Sequence, residues 1–454
     1  MTIKSPLQNN RVLIMGLGLH GGGVASARFF ALAGARVLVT DLKTKPELAS
    51  SLKKLAQYKN ITYALGKHRK TDFTRADLII RNPAVPNDSE YLKIARDRGT
   101  LVHTDVSWFL QFLKEKKTSN KKMPVVIGIT GTKGKSTTAA LLYYILIKAG
   151  KKVMLAGNIR KSPLDFIKIK NESLVIGIWD LVILELSSWH LESLDEHKLS
   201  PQIALITNIL PDHLNRYSKF EEYAKTKFLI SAYQTKHDAL FLNKNDSVSR
   251  SYRKNKKIGK IIEFTEKSIK STRASLHPVS IGAVLAIARY LKVNKKLVQK
   301  AITVFPGLEG RLEYAGKVHG VRYYNDSCAT QPDAAIFAIE KVKNSANTKG
   351  NLILIAGGQD KNLNYAKLAL CITRHVHTSI LFQGSASDKI FAELKKIDGK
   401  TRCLNNIRSM KEAVALAKKY AKSGDVVLLS PGAASFGLFN HEFDRGEQFR
   451  ILVK

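Results

Sequence analysis

Cysteine is scarce in this sequence: Cys328, Cys371 and Cys403 are the only three in 454 residues. They are scattered, show no metal-ligand spacing and cannot all pair, which excludes a disulfide-stapled scaffold and fits a reducing compartment. No apolar run approaches the roughly 18 to 20 residues that cross a bilayer. The start MTIKSPLQNN lacks the apolar centre of a secretory signal, so a cytoplasmic protein without membrane insertion is expected. Acidic residues are also in short supply, 37 against 74 lysines and arginines, for a formal net charge of +37. A field of that sign draws nucleotides, acidic metabolites and nucleic acids alike, and charge alone cannot choose among them. The lysines are dispersed, with short clusters at KEKKTSNKK and RKNKK and no face of interleaved aromatics. They read as solvated background, and no specific nucleic-acid partner is expected.

What is present is length and alternation. A chain of 454 residues suggests about three domains. RVLIMGLGLHGGG, VASARFFALAGA and RVLVTD read as strand, glycine loop, helix and strand. PVVIGIT, the loop GTKGK and the helical STTAALLYYILIKAG repeat that order, followed by the strands DLVILEL, PQIALITN and DALFLN and the helix IGAVLAIARYLKV. Beyond FPGLEGRLE come GVRYYND, NLILIAGG, TSILFQG and DVVLLSPG, each an apolar strand with a small-residue loop behind it. Strands alternating with helices imply parallel sheets that bind ligands beyond the strands' carboxyl ends. The polar segment Lys114 to Lys122 and the glycine-rich FPGLEGRLE mark linkers. We therefore expect an α/β chain of three domains: an N-terminal Rossmann-like domain (1–117), a central P-loop ATPase with a mostly parallel sheet (118–306) and a C-terminal Rossmann-like domain (307–454).

The segment GITGTKGKST departs from the strict P-loop pattern, with Ile129 where a glycine belongs and glycines at 128 and 131 instead. Its physics survives. Backbone N–H groups of Gly131, Thr132, Lys133, Gly134, Lys135, Ser136 and Thr137 at a helix start suit a phosphate, Lys135 adds a point charge, and Ser136 can hold Mg²⁺. Gly16, Gly18 and Gly21 follow the G-x-G-x-x-G order with Asp41 closing the next strand, which taken alone suggests a nicotinamide dehydrogenase. The same glycines serve any nucleotide diphosphate, and His20 within the loop reads as a steric or hydrogen-bonding element. Glu185 ends an apolar strand where an acidic metal ligand beside a P-loop belongs. Asn208 ends another, with Asp212 and His213 close behind as site candidates. Asn325, Asp326, Ser327, Thr330, Lys361 and Ser435 lie just past strands of the last third and suggest a second substrate held there.

The ordered set TGTKGKST, LELSSWHLE, TNILPDHLNRY, GLEGR, NDSCAT, GGQDK and LSPGAAS resembles the Mur ligases across nearly the whole chain. No single piece is specific; the order and spacing are. The resemblance implies an ATP-dependent carboxylate–amine ligase that forms ADP and phosphate through an acyl phosphate, and GLGLHG points to the branch joining D-glutamate to UDP-N-acetylmuramoyl-L-alanine. It reassigns the first glycine loop to the UDP sugar, with Gly18, Leu19, His20 and Asp41 near it and Asn158 and His213 toward the acceptor carboxylate. ATP would meet the cradle together with Arg311 and Asp326. Two Mg²⁺ ions would be held by Ser136, Glu185, His213 and a carbamylated lysine, Lys227 by its spacing from Tyr223, with Lys225 as the alternative. Thr330, Lys361, Ser435 and Phe443 would take D-glutamate. A monomer in peptidoglycan precursor synthesis is expected.

Some positions depart from the family pattern: Arg160 stands where a glycine is usual, Cys328 where a lysine is common, and HPVSIGAV lacks the asparagines that usually meet adenine. Another Mur or folylpolyglutamate-type ligase with a different amino acid or acceptor is the nearest alternative reading, and a nucleic-acid-binding ATPase a more distant one.

Overall fold

The computed structural model describes residues 7–19, 21–116, 123–170, 173–210, 212, 216–217, 219–253, 259–269, 276–344, 350–397 and 401–454. They fall into two compact units, one reaching Thr303 and the other Val304–Lys454. Among the described residues no helix is long and apolar enough to cross a membrane.

The first unit contains two parallel sheets. Strands β1 (Arg11–Met15), β2 (Arg36–Asp41), β3 (Ile61–Leu65), β4 (Leu78–Arg81) and β5 (Leu101–His103) lie in the order β3-β2-β1-β4-β5, all parallel. The order reverses between β1 and β4, which opens a crevice beyond their carboxyl ends, the ligand site of doubly wound sheets. The helix Gly22–Leu32 covers one face and brings Phe29 and Phe30 edge-on to Trp108, with ring centroids 5.3 and 5.2 Å away.

The second sheet is assembled from β6 (Val125–Thr130), β7 (Val153–Gly157), β10 (Leu181–Glu185), β11 (Ile203–Ile206), β12 (Ala239–Asn243) and β13 (Lys260–Phe264). The small antiparallel pair β8 (Ile167–Lys170) and β9 (Ser173–Ile176) lies between β7 and β10 in the chain. The order is β13-β12-β11-β6-β10-β7, again all parallel. Both faces of β10, β11 and β12 are buried, which is why these strands read as unbroken apolar runs. β6 lies between β10 and β11, so the loop after it emerges at the point where the order reverses.

In the second unit, β14 (Glu313–Val318), β15 (Val321–Asn325), β16 (Leu352–Ala356), β17 (Thr378–Phe382), β18 (Arg402–Ile407) and β19 (Val426–Leu429) are ordered β14-β15-β19-β16-β17-β18. All pairs are parallel except β14 with β15. The α/β class expected from the alternation is what forms. The edge strand β14 starts at the last residue of the glycine-rich FPGLEGRLE and was not read from the sequence; its register shifts between Tyr314 and Gly316. Its half-exposed, glycine-broken pattern hides it from an apolar-run reading.

Candidate active site

β6 ends at Thr130 and turns through Gly131 (φ 140°) and Gly134 (φ 83°) into the helix Lys135–Lys148. A Cβ on Gly131 would lie 2.0 Å from Thr207 Oγ1. Gly131→Ala is therefore expected to destabilise the fold by about 1–3 kcal/mol, read from chemical denaturation, and an unchanged midpoint would contradict this packing. The loop is tied to the end of β11: Lys133 N–H donates to Asn208 Oδ1 (2.9 Å), Asn208 Nδ2 to Lys133 O (3.1 Å), Thr207 Oγ1 to Lys133 O (2.7 Å) and Thr132 N–H to Asn208 O (2.9 Å). Asn208 thus acts as a brace. Lys135 Nζ curls back onto the carbonyls of Gly131 (2.8 Å) and Thr132 (2.9 Å), which keeps its charge over the loop. Ser136 and Thr137 occupy the first helical turn, half-buried.

Glu185 ends β10, in register with Ile129 of β6. Its carboxylate is buried; Oε1 accepts from Asn158 Nδ2 (3.0 Å), and Oε2 has no partner. A buried carboxylate oxygen without a donor calls for a cation. Asn158 follows β7 and is also held through its N–H to Glu185 O (2.9 Å). Arg160, in the same turn, has φ 63°, the left-handed conformation that accounts for a glycine being usual there.

Lys227, on the helix Phe220–Phe228, is only 2% exposed, with Nζ 4.9 Å from the Tyr223 ring centroid, whereas Lys225 faces solvent. Burial, then the charge of Lys135, pushes the Lys227 ammonium down to about 7; Asp212, Glu185 and Glu192 oppose the shift. Tyr223 Oη lies 3.1 Å from Thr132 Oγ1, tying this helix to the phosphate loop. His213 and His20 lie outside the described residues. Among the described residues no group of three or more His, Cys, Asp or Glu gathers around a point. The donor set that fits a metal is the open oxygen of Glu185 and hydroxyl oxygen of the Ser136 type, hard ligands suited to a hard divalent cation.

In the first sheet Gly16, Gly18 and Gly21 all have positive φ, but the close packing between loop and helix falls on Gly23, where a Cβ would be 2.4 Å from Leu17 O. The run of three glycines, 21 to 23, was the signal for it. Asp41 accepts the N–H groups of Gly18 (3.0 Å) and Lys43 (2.9 Å) and so shapes the loop, and Leu19 packs half-buried against the core. Asn82, missed in the sequence, ends the β4 turn with Nδ2 donating to Gly16 O (3.4 Å). His190 was missed too. It closes a capping box on Ser187, and burial pushes it down to about 3, so it is neutral.

In the second unit β15, β19 and β16 are neighbours, and the loops that follow them carry the remaining residues. Asn325 donates to Glu313 Oε2 (3.0 Å) and accepts the Ser327 N–H (3.1 Å). Asp326 accepts from Ser430 Oγ (2.7 Å) and Leu312 N–H (2.9 Å), and burial pushes it up to about 7 against the charge of exposed Arg311. Thr330 is half-buried, Ser435 buried and Lys361 exposed. Gln359 and Ala434 exchange backbone bonds of 3.0 and 3.1 Å, which fixes the loops of Lys361 and Ser435 side by side. Phe443, on the helix Glu442–Val453, is half-buried beside the His441 ring. Arg445, which the sequence did not single out, is buried and donates to Ser327 O (2.9 Å) and Ala433 O (3.3 Å), joining the loops after β15 and β19.

A glycine loop at a parallel sheet's switch point with a buried acid beside it, preceded in the chain by one parallel sheet and followed by another that is parallel but for β14, defines the class. The chain belongs to the Mur ligase family: a MurD-like N-terminal domain matches residues 10–104, the Mur ligase middle domain 129–303 and the Mur ligase glutamate ligase domain 310–432. Within the family, the chain is 36% identical over 490 residues, covering 99% of each, to a protein of Roseiflexus sp. (strain RS-1) named UDP-N-acetylmuramoylalanine–D-glutamate ligase. Its fold is shared by the UDP-N-acetylmuramate–alanine ligase MurC of Thermotoga maritima, with a TM-score of 0.62, 19% identity and 98% of both chains covered. A bifunctional folylpolyglutamate synthase/dihydrofolate synthase of Yersinia pestis, solved with AMPPNP and a Mn ion, gives a TM-score of 0.54 at 14% identity, covering 77% of this chain and 93% of that one.

Proposed function

We propose that this chain is an ATP-dependent amide ligase that joins D-glutamate to UDP-N-acetylmuramoyl-L-alanine in peptidoglycan precursor synthesis, acting in the cytoplasm as a monomer. The observation that carries the reading is the conjunction of a full-length likeness to a D-glutamate ligase with a phosphate loop beside a buried carboxylate whose second oxygen is open. One functional domain accompanies each large sheet, at residues 1–117, 118–306 and 307–454.

The acceptor carboxylate and the γ-phosphate repel one another, so the site must neutralise both. Gly131 to Thr137 would present backbone N–H groups to the ATP phosphates, and Lys135 would swing from the carbonyls of Gly131 and Thr132 to the anion. Ser136, Glu185, His213 and a carbamylated Lys227 would hold Mg²⁺, which supplies charge neutralisation between the two reacting anions. An oxygen of the muramoyl-alanine carboxylate attacks the γ-phosphorus and ADP departs. The neutral amine of D-glutamate then attacks the acyl carbon, phosphate leaves, and the nitrogen gives up its proton. Gly18, Leu19, His20 and Asp41 would seat the UDP sugar, with Asn158 and His213 near the acceptor carboxylate. Arg311 and Asp326 would meet ATP. Thr330, Lys361, Ser435 and Phe443 would take D-glutamate, where an ammonium and hydroxyl donors suit a dicarboxylate.

The reading is tested by ADP formation with UDP-N-acetylmuramoyl-L-alanine and a panel of D- and L-amino acids, omitting each component in turn. Turnover with another amino acid in preference to D-glutamate sinks the specificity. Lys361→Ala is expected to raise the KM for D-glutamate about tenfold or more, as loss of a charge-assisted contact does, and the KM for ATP far less. Equal rises would remove Lys361 from the amino-acid site.

A further inference from the structure

Asp360 immediately precedes Lys361 in the loop after β16. A free carboxylate there would oppose a dicarboxylate ligand twice, by repelling it and by pairing with the ammonium beside it. The structure engages that carboxylate elsewhere. Oδ1 accepts from Leu363 N–H (3.1 Å) and Tyr365 Oη (3.0 Å), and Oδ2 accepts from Lys389 Nζ. The Asp360 side chain is 8% exposed, whereas Lys361 is exposed and takes part in none of these bonds. Burial acts to raise the Asp360 carboxyl, but the bonds from Lys389, Leu363 and Tyr365 outweigh it and hold the group down at about 2. It is therefore an anion at neutral pH, and the charge that balances it is that of Lys389.

The same bonds set the backbone. The one from Leu363 N–H closes a turn over Lys361 and Asn362, with Asn362 in the left-handed region at φ 58°. Tyr365 is 2% exposed, and Lys389 stands on the helix Ser385–Lys395. The start of that helix grips the loop as well: Asp360 N–H donates to Ser385 Oγ (3.0 Å), Gly358 N–H to Ser387 Oγ (3.0 Å) and Ala386 N–H to Gly358 O (3.0 Å). With Gln359 already paired to Ala434, the backbone on both sides of Lys361 is held. Its side chain is the part left to meet a ligand.

We infer that Asp360 is a positioning residue for amino-acid binding: it closes the turn that presents Lys361, and its pairing with Lys389 leaves the Lys361 ammonium free for a carboxylate of D-glutamate. This rests on the reading that Lys361 meets D-glutamate. The test is steady-state ADP formation by the whole protein. Lys389→Met leaves Asp360 charged and without its cation, and because Lys389 is half-exposed the variant is expected to fold. Its KM for D-glutamate should rise about fivefold, with the KM for ATP and for UDP-N-acetylmuramoyl-L-alanine within about twofold of wild type. Adding Asp360→Asn removes the stray charge while its amide oxygen still accepts from Leu363 and Tyr365, so the double variant should return to within about twofold of the wild-type KM for D-glutamate. In a Lys361→Ala background Lys389→Met should raise that KM no further. An unchanged KM for D-glutamate in Lys389→Met, equal rises for all three substrates, or losses that add in the double variant overturn the inference and leave a structural ion pair. If Lys361→Ala by itself leaves the KM for D-glutamate unchanged, the reading of the amino-acid site fails, and the inference with it.

Discussion

Lys135→Ala is expected to lower ADP formation by on the order of 10² to 10³, the usual effect of removing one preorganised charge from a developing anion. The ammonium donates to the Gly131 and Thr132 carbonyls at 2.8 and 2.9 Å, four and three residues back along the same loop. Those bonds hold the side chain over the cradle and contribute little to the fold, because the loop is braced independently by Thr207 and Asn208. The unfolding midpoint should therefore shift by no more than about 1 kcal/mol equivalent, and the variant should still bind UDP. Near-wild-type ADP production in a folded variant would remove Lys135 from the reaction and with it the phosphate-cradle assignment.

Lys227 carries the second large effect. An ammonium 2% exposed and lowered to about 7 from the ordinary 10.5 of a lysine is half deprotonated near neutral pH. Its neutral nitrogen can attack carbon dioxide and release a proton, converting a cation into an anionic oxygen ligand. Lys227→Ala is expected to cost on the order of 10² or more in turnover, and wild-type protein stripped of bicarbonate should lose activity and regain it on bicarbonate addition. Intact mass in bicarbonate should show one added carbon dioxide that acid removes.

The unmodified side chain makes a separate, metal-free prediction. Because the folded value lies below the unfolded one, the unfolded chain binds more protons between about pH 7 and 10.5. Stability should rise with pH across that window, and the full penalty of the buried cation applies below it. Lys227→Met should flatten that rise. A stability difference between wild type and Lys227→Met that stays constant from pH 7 to 10.5 would show that the amine is not deprotonated in the native state.

These two lysines also show how far the chain could be read without coordinates. Lys135 sits in a strand–loop–helix whose meaning is local: an apolar run, glycines that permit positive φ, and a helix start. Glu185 was legible for the same reason, as an acid at the carboxyl end of an apolar strand. Lys227 was not separable from Lys225 by such reasoning, because two residues on a helix point to nearly opposite faces and only the packing says which faces inward. The close-packed glycine shows the same limit. The fingerprint pointed to Gly21, and the approach of Leu17 O transferred the constraint to Gly23. β14 escaped because an edge strand with one half-wet face needs no apolar run.

The alternation of buried strands and helices, the phosphate loop and the strand-end acid were determined by the sequence by itself, since each depends on neighbours within a dozen residues. Tertiary structure alone decided that Glu185 keeps one oxygen open, that Lys227 loses its charge near neutrality, and that Asp360 pairs with Lys389. Desolvation and hydrogen-bond satisfaction are sums over groups brought together from distant parts of the chain, and no local pattern contains them.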